Sequence, residues 1–99
     1  MQKTYQLVVE GKNRDRLVEA AKHDIRRYVK RERNRPLPPD VDFWDFECRF
    51  GSDETAATPV HFATLTERID ALVADGGAQF YAQLLTRHGQ RSSRPATSL

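Results

Sequence analysis

The sequence predicts a small two-layer α/β (or α+β) domain, a three-stranded sheet with two helices on one face. Three observations carry this. Apolar residues alternate with period two in three segments, recur at helical spacing in two others, and the segments follow one another as β-α-β-α-β within 99 residues. That length holds one modest core and no second domain.

The first strand is predicted over Lys3–Val9, with Tyr5, Leu7 and Val9 on one face and Thr4, Gln6 and Val8 on the other. Gly11-Lys12-Asn13 makes the turn, and Asn13 is a fitting N-cap for a helix from Arg14 to about Asn34. Wound at 100° per residue, this helix carries an apolar stripe of Leu17, Val18, Ala21, Ile25, Tyr28 and Val29. Glu32 falls at the angle of that stripe, so it is expected to point toward the body of the domain or its rim, in reach of a basic group there. Pro36-Leu37-Pro38-Pro39 stops the helix, because prolines lack N–H donors and restrict the residues before them.

Val41–Phe50 is the strongest strand signal, with Trp44, Phe46, Cys48 and Phe50 on one side and Val41, Phe43, Asp45, Glu47 and Arg49 on the other. After Gly51, residues 52 to 59 read as a loop. Val60-His61-Phe62 is compatible with a short extended piece or with a first helical turn capped by Thr58. Thr64-Leu65-Thr66-Glu67 matches a capping box, Leu65, Ile69, Leu72 and Val73 recur at helical spacing, and Gly76-Gly77 stops the second helix. Gln79–Thr86 reads as the third strand. The domain is placed at residues 1–86, followed by a flexible basic tail at 87–99 with little to bury. Crossover connections would make the sheet mostly parallel, while long loops also admit antiparallel pairing.

Charge is distributed unevenly along the chain. The net charge is +2, but residues 1–35 carry +6, residues 36–86 carry −7 and residues 87–99 carry +3. The positive block peaks at residues 22–35, where seven of fourteen positions are Lys or Arg: Lys22, Arg26, Arg27, Lys30, Arg31, Arg33 and Arg35. Most lie on the helix arc opposite the apolar stripe. Two or three such residues are explained by the macrodipole, which favours cations near a helix C-terminus by roughly 0.3–1 kcal/mol each. The surplus suits phosphates or an acidic protein, and a fold whose two charged halves attract one another is the competing reading.

The stretches Lys22-His23-Asp24-Ile25-Arg26-Arg27-Tyr28-Val29-Lys30-Arg31-Glu32-Arg33 and Val41-Asp42-Phe43-Trp44-Asp45-Phe46-Glu47-Cys48, with Leu37-Pro38 and Phe80-Tyr81 in support, resemble a family of short bacterial proteins catalogued as a domain of unknown function. The resemblance covers about residues 3 to 86. It implies a bacterial cytoplasmic setting and carries no chemistry.

Other constellations are weaker. Asp40, Asp42, Asp45 and Glu47 do not converge, because alternation sends Asp45 and Glu47 to one face and Asp42 to the other. His23, His61 and His88 lack metal-ligand spacing. Cys48, the single cysteine, shares its face with Trp44, Phe46 and Phe50 and reads as a packed thiol. No nucleophile elbow or Gly-rich phosphate loop is present. The sequence therefore points to a non-enzymatic, cytoplasmic binding module without cofactor or metal and without a membrane span. Its basic helix is matched to nucleic acid, RNA more than DNA, with an acidic protein as the alternative partner. A homodimer or protein contact is the second possibility, through an outer sheet face on which Val41, Phe43, Tyr81 and Leu85, together with Val8, are expected to form a semi-apolar surface.

Overall fold

The computed structural model describes residues 1–90. It is a mixed α+β domain with two helices on an antiparallel sheet. The elements are β1 (Gln2–Gln6), α1 (Arg14–Arg33), β2 (Phe43–Gly51), β3 (Thr58–Val60), a 3-10 turn (Phe62–Thr64), α2 (Leu65–Ala74) and β4 (Gln79–Gly89).

The sheet has four strands in the order β1-β4-β2-β3, with every neighbouring pair antiparallel. This corrects the expected three strands to four, and of the two pairings that the loops allowed it is the antiparallel one that forms. β1 and β2 do run in the same direction, as a helical crossover through α1 requires, but β4 lies between them and opposes both. The added strand β3 is three residues long, too short to show alternation, and contains Pro59 opposite Arg49 on the sheet edge, where a missing N–H removes no ladder bond.

Strand lengths follow their partners. β4 reaches Gly89 because all nine residues of β2 pair with it, from Phe43 opposite Gly89 to Gly51 opposite Tyr81. Residues 87–89 therefore belong to the domain and not to a tail. Gln90 donates to the Asp40 carbonyl at 2.7 Å, and the remainder of the expected tail, from residue 91, lies outside the described residues. β1 ends sooner than alternation implies, since β4 begins only at Gln79. Leu7 still donates to the Ala78 carbonyl at 2.8 Å and is wholly buried, while Val8 and Val9 are exposed in the following turn.

The core lies between the sheet and the helices. Tyr5, Phe46, Cys48, Phe50, Phe80, Ala82 and Leu84 meet Val18, Ala21, Ile25 and Val29 of α1 and Leu65 and Ile69 of α2. The α1 stripe read from the sequence is the face it buries. Asn13 caps α1 by accepting the Arg16 N–H at 3.1 Å. The capping box at α2 is not formed: the Thr64 hydroxyl donates to the His61 carbonyl of the 3-10 turn, which already leads into the helix. At its other end, Gly76 takes φ +82°, with Gly76 N–H bonded to Val73 and Gly77 N–H to Leu72, a Schellman closure that favours glycine. Arg14 adds two bonds to the same end, donating to the carbonyls of Gly77 and Val73 at 2.8 and 3.0 Å.

Candidate nucleic-acid interface

Burial of Val18, Ala21, Ile25 and Val29 fixes the rotation of α1 and so the direction of every cation on it. At 3.6 residues per turn, Arg26, Lys30 and Asn34 form one outward row, and His23, Arg27 and Arg31 form the next. Adjacent charges within a row are about 6 Å apart along the axis.

The seven basic residues divide into two sets. Lys22 is half-buried and bonded to Asp70 of α2 at 2.6 Å, with Glu19 at 4.0 Å, so it joins the two helices. Arg35 bonds Glu32 at 2.7 Å and stands 5.0 Å from the Trp44 ring centre, and the Trp44 indole N–H donates to the Arg35 carbonyl at 3.0 Å. Arg33 lies over Phe46 and Phe62, at 5.7 and 5.5 Å from the ring centres. These three are engaged within the fold.

Arg26, Arg27 and Lys30 are exposed and have no carboxylate within ion-pair distance among the described residues. Arg31 is exposed, stands 5.6 Å from the Tyr28 ring centre and helps to lower the Glu32 pKa through space, without an ion pair among the described residues. Lys3 of β1, which sequence reasoning did not bring to this site, stands beside the same flank and lies 3.7 Å from Asp24. It lines a cleft of about 640 Å³ with Asp24, Arg27, Tyr28, Lys30, Arg31 and Asn34. On the opposite flank a groove of about 510 Å³ runs between α1 and the 3-10 turn, with Ile25, Val29, Phe62 and Leu65 below and Arg26, Lys30, Arg33 and Asn34 around it. Phe62 was legible only as an apolar residue of an ambiguous segment, because its place beside α1 depends on the β3 hairpin.

A polar chain anchors the C-terminal half of α1 to β4. The Tyr28 hydroxyl donates to Thr86 Oγ1 at 3.2 Å, Thr86 donates to Glu32 Oε1 at 3.1 Å, and Arg35 binds the same oxygen. The Arg35 guanidinium holds the Glu32 carboxyl below the usual carboxylate range, outweighing the opposing effect of burial. Nearer β1, burial and then the bond to Asp24 at 2.7 Å push the Tyr5 hydroxyl well above its ordinary pKa.

The outer sheet face differs from the expected apolar surface. Phe43 and Leu85 are exposed, at 41% and 47%, but Arg87, Asp45 and Glu47 lie between them in ion pairs of 2.9 and 3.7 Å. Against partial burial, the Arg87 bond and the Phe46 N–H hold Asp45 below its usual range. Tyr81 is buried, its hydroxyl within reach of Gln2 and Gln83, while Val41 sits in the turn before β2 and Val8 beyond the end of β1. The four named residues thus form no continuous patch. Burial pushes the Cys48 thiol up to about 11, a direction opposite to that of a reactive cysteine.

His61 caps the 3-10 turn through Nδ1, and His88 packs against Trp44 at 5.6 Å. Among the described residues, no three His, Cys, Asp or Glu side chains are grouped to hold a metal ion. No helix among them is long and apolar enough to cross a membrane.

No curated protein and no solved structure matches the chain. The model of a family of unknown function, DUF6172, matches residues 1–96. The chain belongs to that family.

Proposed function

We propose that the chain is a cytoplasmic bacterial nucleic-acid-binding protein with no catalytic role, which contacts the phosphates of single-stranded or irregular RNA through the outward face of α1. One observation carries this reading. Arg26, Arg27, Lys30 and Arg31 form a fixed array, and none is in an ion pair within 4.0 Å among the described residues; Arg31 feels Glu32 only through space. A fold that used its basic helix only to balance its acidic half would pair these groups as it pairs Lys22 with Asp70.

The flanks favour unpaired bases over a regular duplex. Phe62 and the Arg33 guanidinium border one groove and Tyr28 and Arg31 the other, and planar groups beside cations stack on bases that have left a helix. Asn34, which borders both grooves, has the paired donor and acceptor of a base-edge reader, but the array is dominated by cations suited to phosphates, so binding is expected to be largely tolerant of sequence.

The test is titration of purified protein into fluorescently labelled single-stranded RNA and a matching DNA duplex at about 50 mM salt, where phosphate contacts are strong. RNA binding that weakens steeply as salt rises supports the reading. No binding to either probe at low salt overturns it.

A further inference from the structure

The outer edge of β1 is a second candidate surface. Among the described residues this strand pairs on one side only, with β4. Met1 and Leu84 exchange both backbone bonds, at 2.7 and 2.9 Å, and Leu7 N–H reaches the Ala78 carbonyl at 2.8 Å. In an antiparallel ladder bonded and non-bonded pairs alternate, so Met1, Lys3, Tyr5 and Leu7 turn their backbone groups toward β4. Gln2, Thr4 and Gln6 turn theirs away. All three are exposed, and the side chains of Gln2 and Gln6 are held over the outer face by Tyr81 and Gln79.

This edge does not face open solvent on every side. α1 runs antiparallel to β1 and overhangs it, leaving two clefts that share Lys3, Asp24 and Arg27. The cleft of about 410 Å³ near Gln6 is floored by Leu17, Ala20 and Ala21, while that of about 640 Å³ near Gln2 is bordered by Arg27, Lys30 and Arg31. A chain laid along the edge would meet small apolar groups first and cations afterwards.

We infer that the β1 edge and the groove under α1 form a docking site for an extended acidic segment of a partner protein, which adds as a fifth, antiparallel strand. The backbone of Gln2, Thr4 and Gln6 supplies the ladder, as in strand-addition recognition generally. The groove supplies the preference: side chains facing α1 are apolar near Gln6 and carboxylates near Lys3, Arg27 and Arg31. A second copy of this chain is a poor occupant, because pairing β1 with β1 sets Lys3, Arg27 and Arg31 against their own like charges. The inference rests on the edge and does not depend on the RNA reading, although Arg27 and Arg31 border both surfaces.

The probe is the peptide acetyl-Thr-Val-Thr-Glu-Thr-Glu-Thr-amide, whose valine and glutamates share one face and whose threonines bond the edge. Amide hydrogen exchange is followed by NMR in the free and peptide-bound full chain. Thr4 and Gln6 N–H are expected to exchange fast in the free protein, unlike Lys3 and Tyr5, and to slow on binding. N-methylation of the second and third threonines removes edge bonds and is expected to weaken binding at least about tenfold, whereas N-methylation of the glutamates leaves it nearly unchanged. Replacing both glutamates with lysine is expected to abolish it. Thr4→Pro removes one outward N–H at an edge position that tolerates proline, and should bind less while folding normally; the methylated peptides decide the matter if it does not fold. Three results overturn the proposal: binding without protection of Thr4, protection of Thr4 before peptide is added, as a self-paired edge would give, and no binding of the acidic peptide. Loss of RNA binding with retained peptide binding would sink the earlier reading alone.

Discussion

The division of the basic residues into engaged and free sets predicts a salt dependence that a count of charges does not. For single strands, log K falls with log salt by about 0.7 per phosphate neutralised, so four contacts from Arg26, Arg27, Lys30 and Arg31 give a slope near −2.8. Raising salt from about 50 to about 200 mM should then weaken RNA binding about 50-fold. The double substitution Arg26→Gln with Lys30→Gln leaves two contacts, a slope near −1.4 and a loss of about 7-fold over the same range. Neither residue has an ion-pair partner among the described residues, so stability should stay within about 0.5 kcal/mol. Lys22→Gln and Arg35→Gln are the contrast. Each breaks a bond of 2.6–2.7 Å within the fold, should cost about 0.2–1 kcal/mol by urea denaturation, and should leave the slope near −2.8. Fluorescence anisotropy at four or more salt concentrations measures the slopes. A double variant with the wild-type slope would refute the reasoning, as would Lys22→Gln or Arg35→Gln flattening the line equally.

Three further outcomes follow from the packing. Glu32 has a lowered folded-state pKa, so its contribution to stability is present above the ordinary glutamate range and is lost as pH falls through the folded value; the gap in urea midpoint between wild type and Glu32→Gln should be constant above about pH 5 and close in acid. Gly51→Ala places a Cβ 2.7 Å from the Ala57 backbone N and Cα, where no flexible group can give way, and should destabilise the β2–β3 hairpin by about 1–3 kcal/mol in thermal unfolding. Cys48 is buried, with its thiol pushed up to about 11, so a colorimetric thiol reagent should titrate it in urea but not in the native protein near neutral pH; rapid native reaction would place the thiol outside the core.

Much of the fold was legible because it rests on local periodicity. The α1 stripe, the Asn13 cap, the inward set Trp44, Phe46, Cys48 and Phe50, and the glycine stop at Gly76 each arise within a few residues. The direction of Glu32 was likewise readable from its helical angle, while its partners Thr86 and Arg35 appear only in the structure. What escaped was pairing across long separations. β4 enters between β1 and β2 although it comes last in the chain, and only that placement lengthens it to Gly89 and shortens β1 to Gln6. β3 was hidden because three residues with a proline carry no alternation.

The candidate site divides in the same way. Sequence determined that this chain has a cationic helix face opposite an apolar one, because both follow from residue identity and a period of 3.6. Tertiary structure decided which cations remain free, since Asp70 comes from α2, Trp44 and Phe46 from β2 and Phe62 from the 3-10 turn, all at distances in sequence that no local rule spans. It also decided that β1 is an edge beside a cleft. A strand's own sequence sets which side chains face the core, but the neighbours it finds set which backbone groups remain to be satisfied.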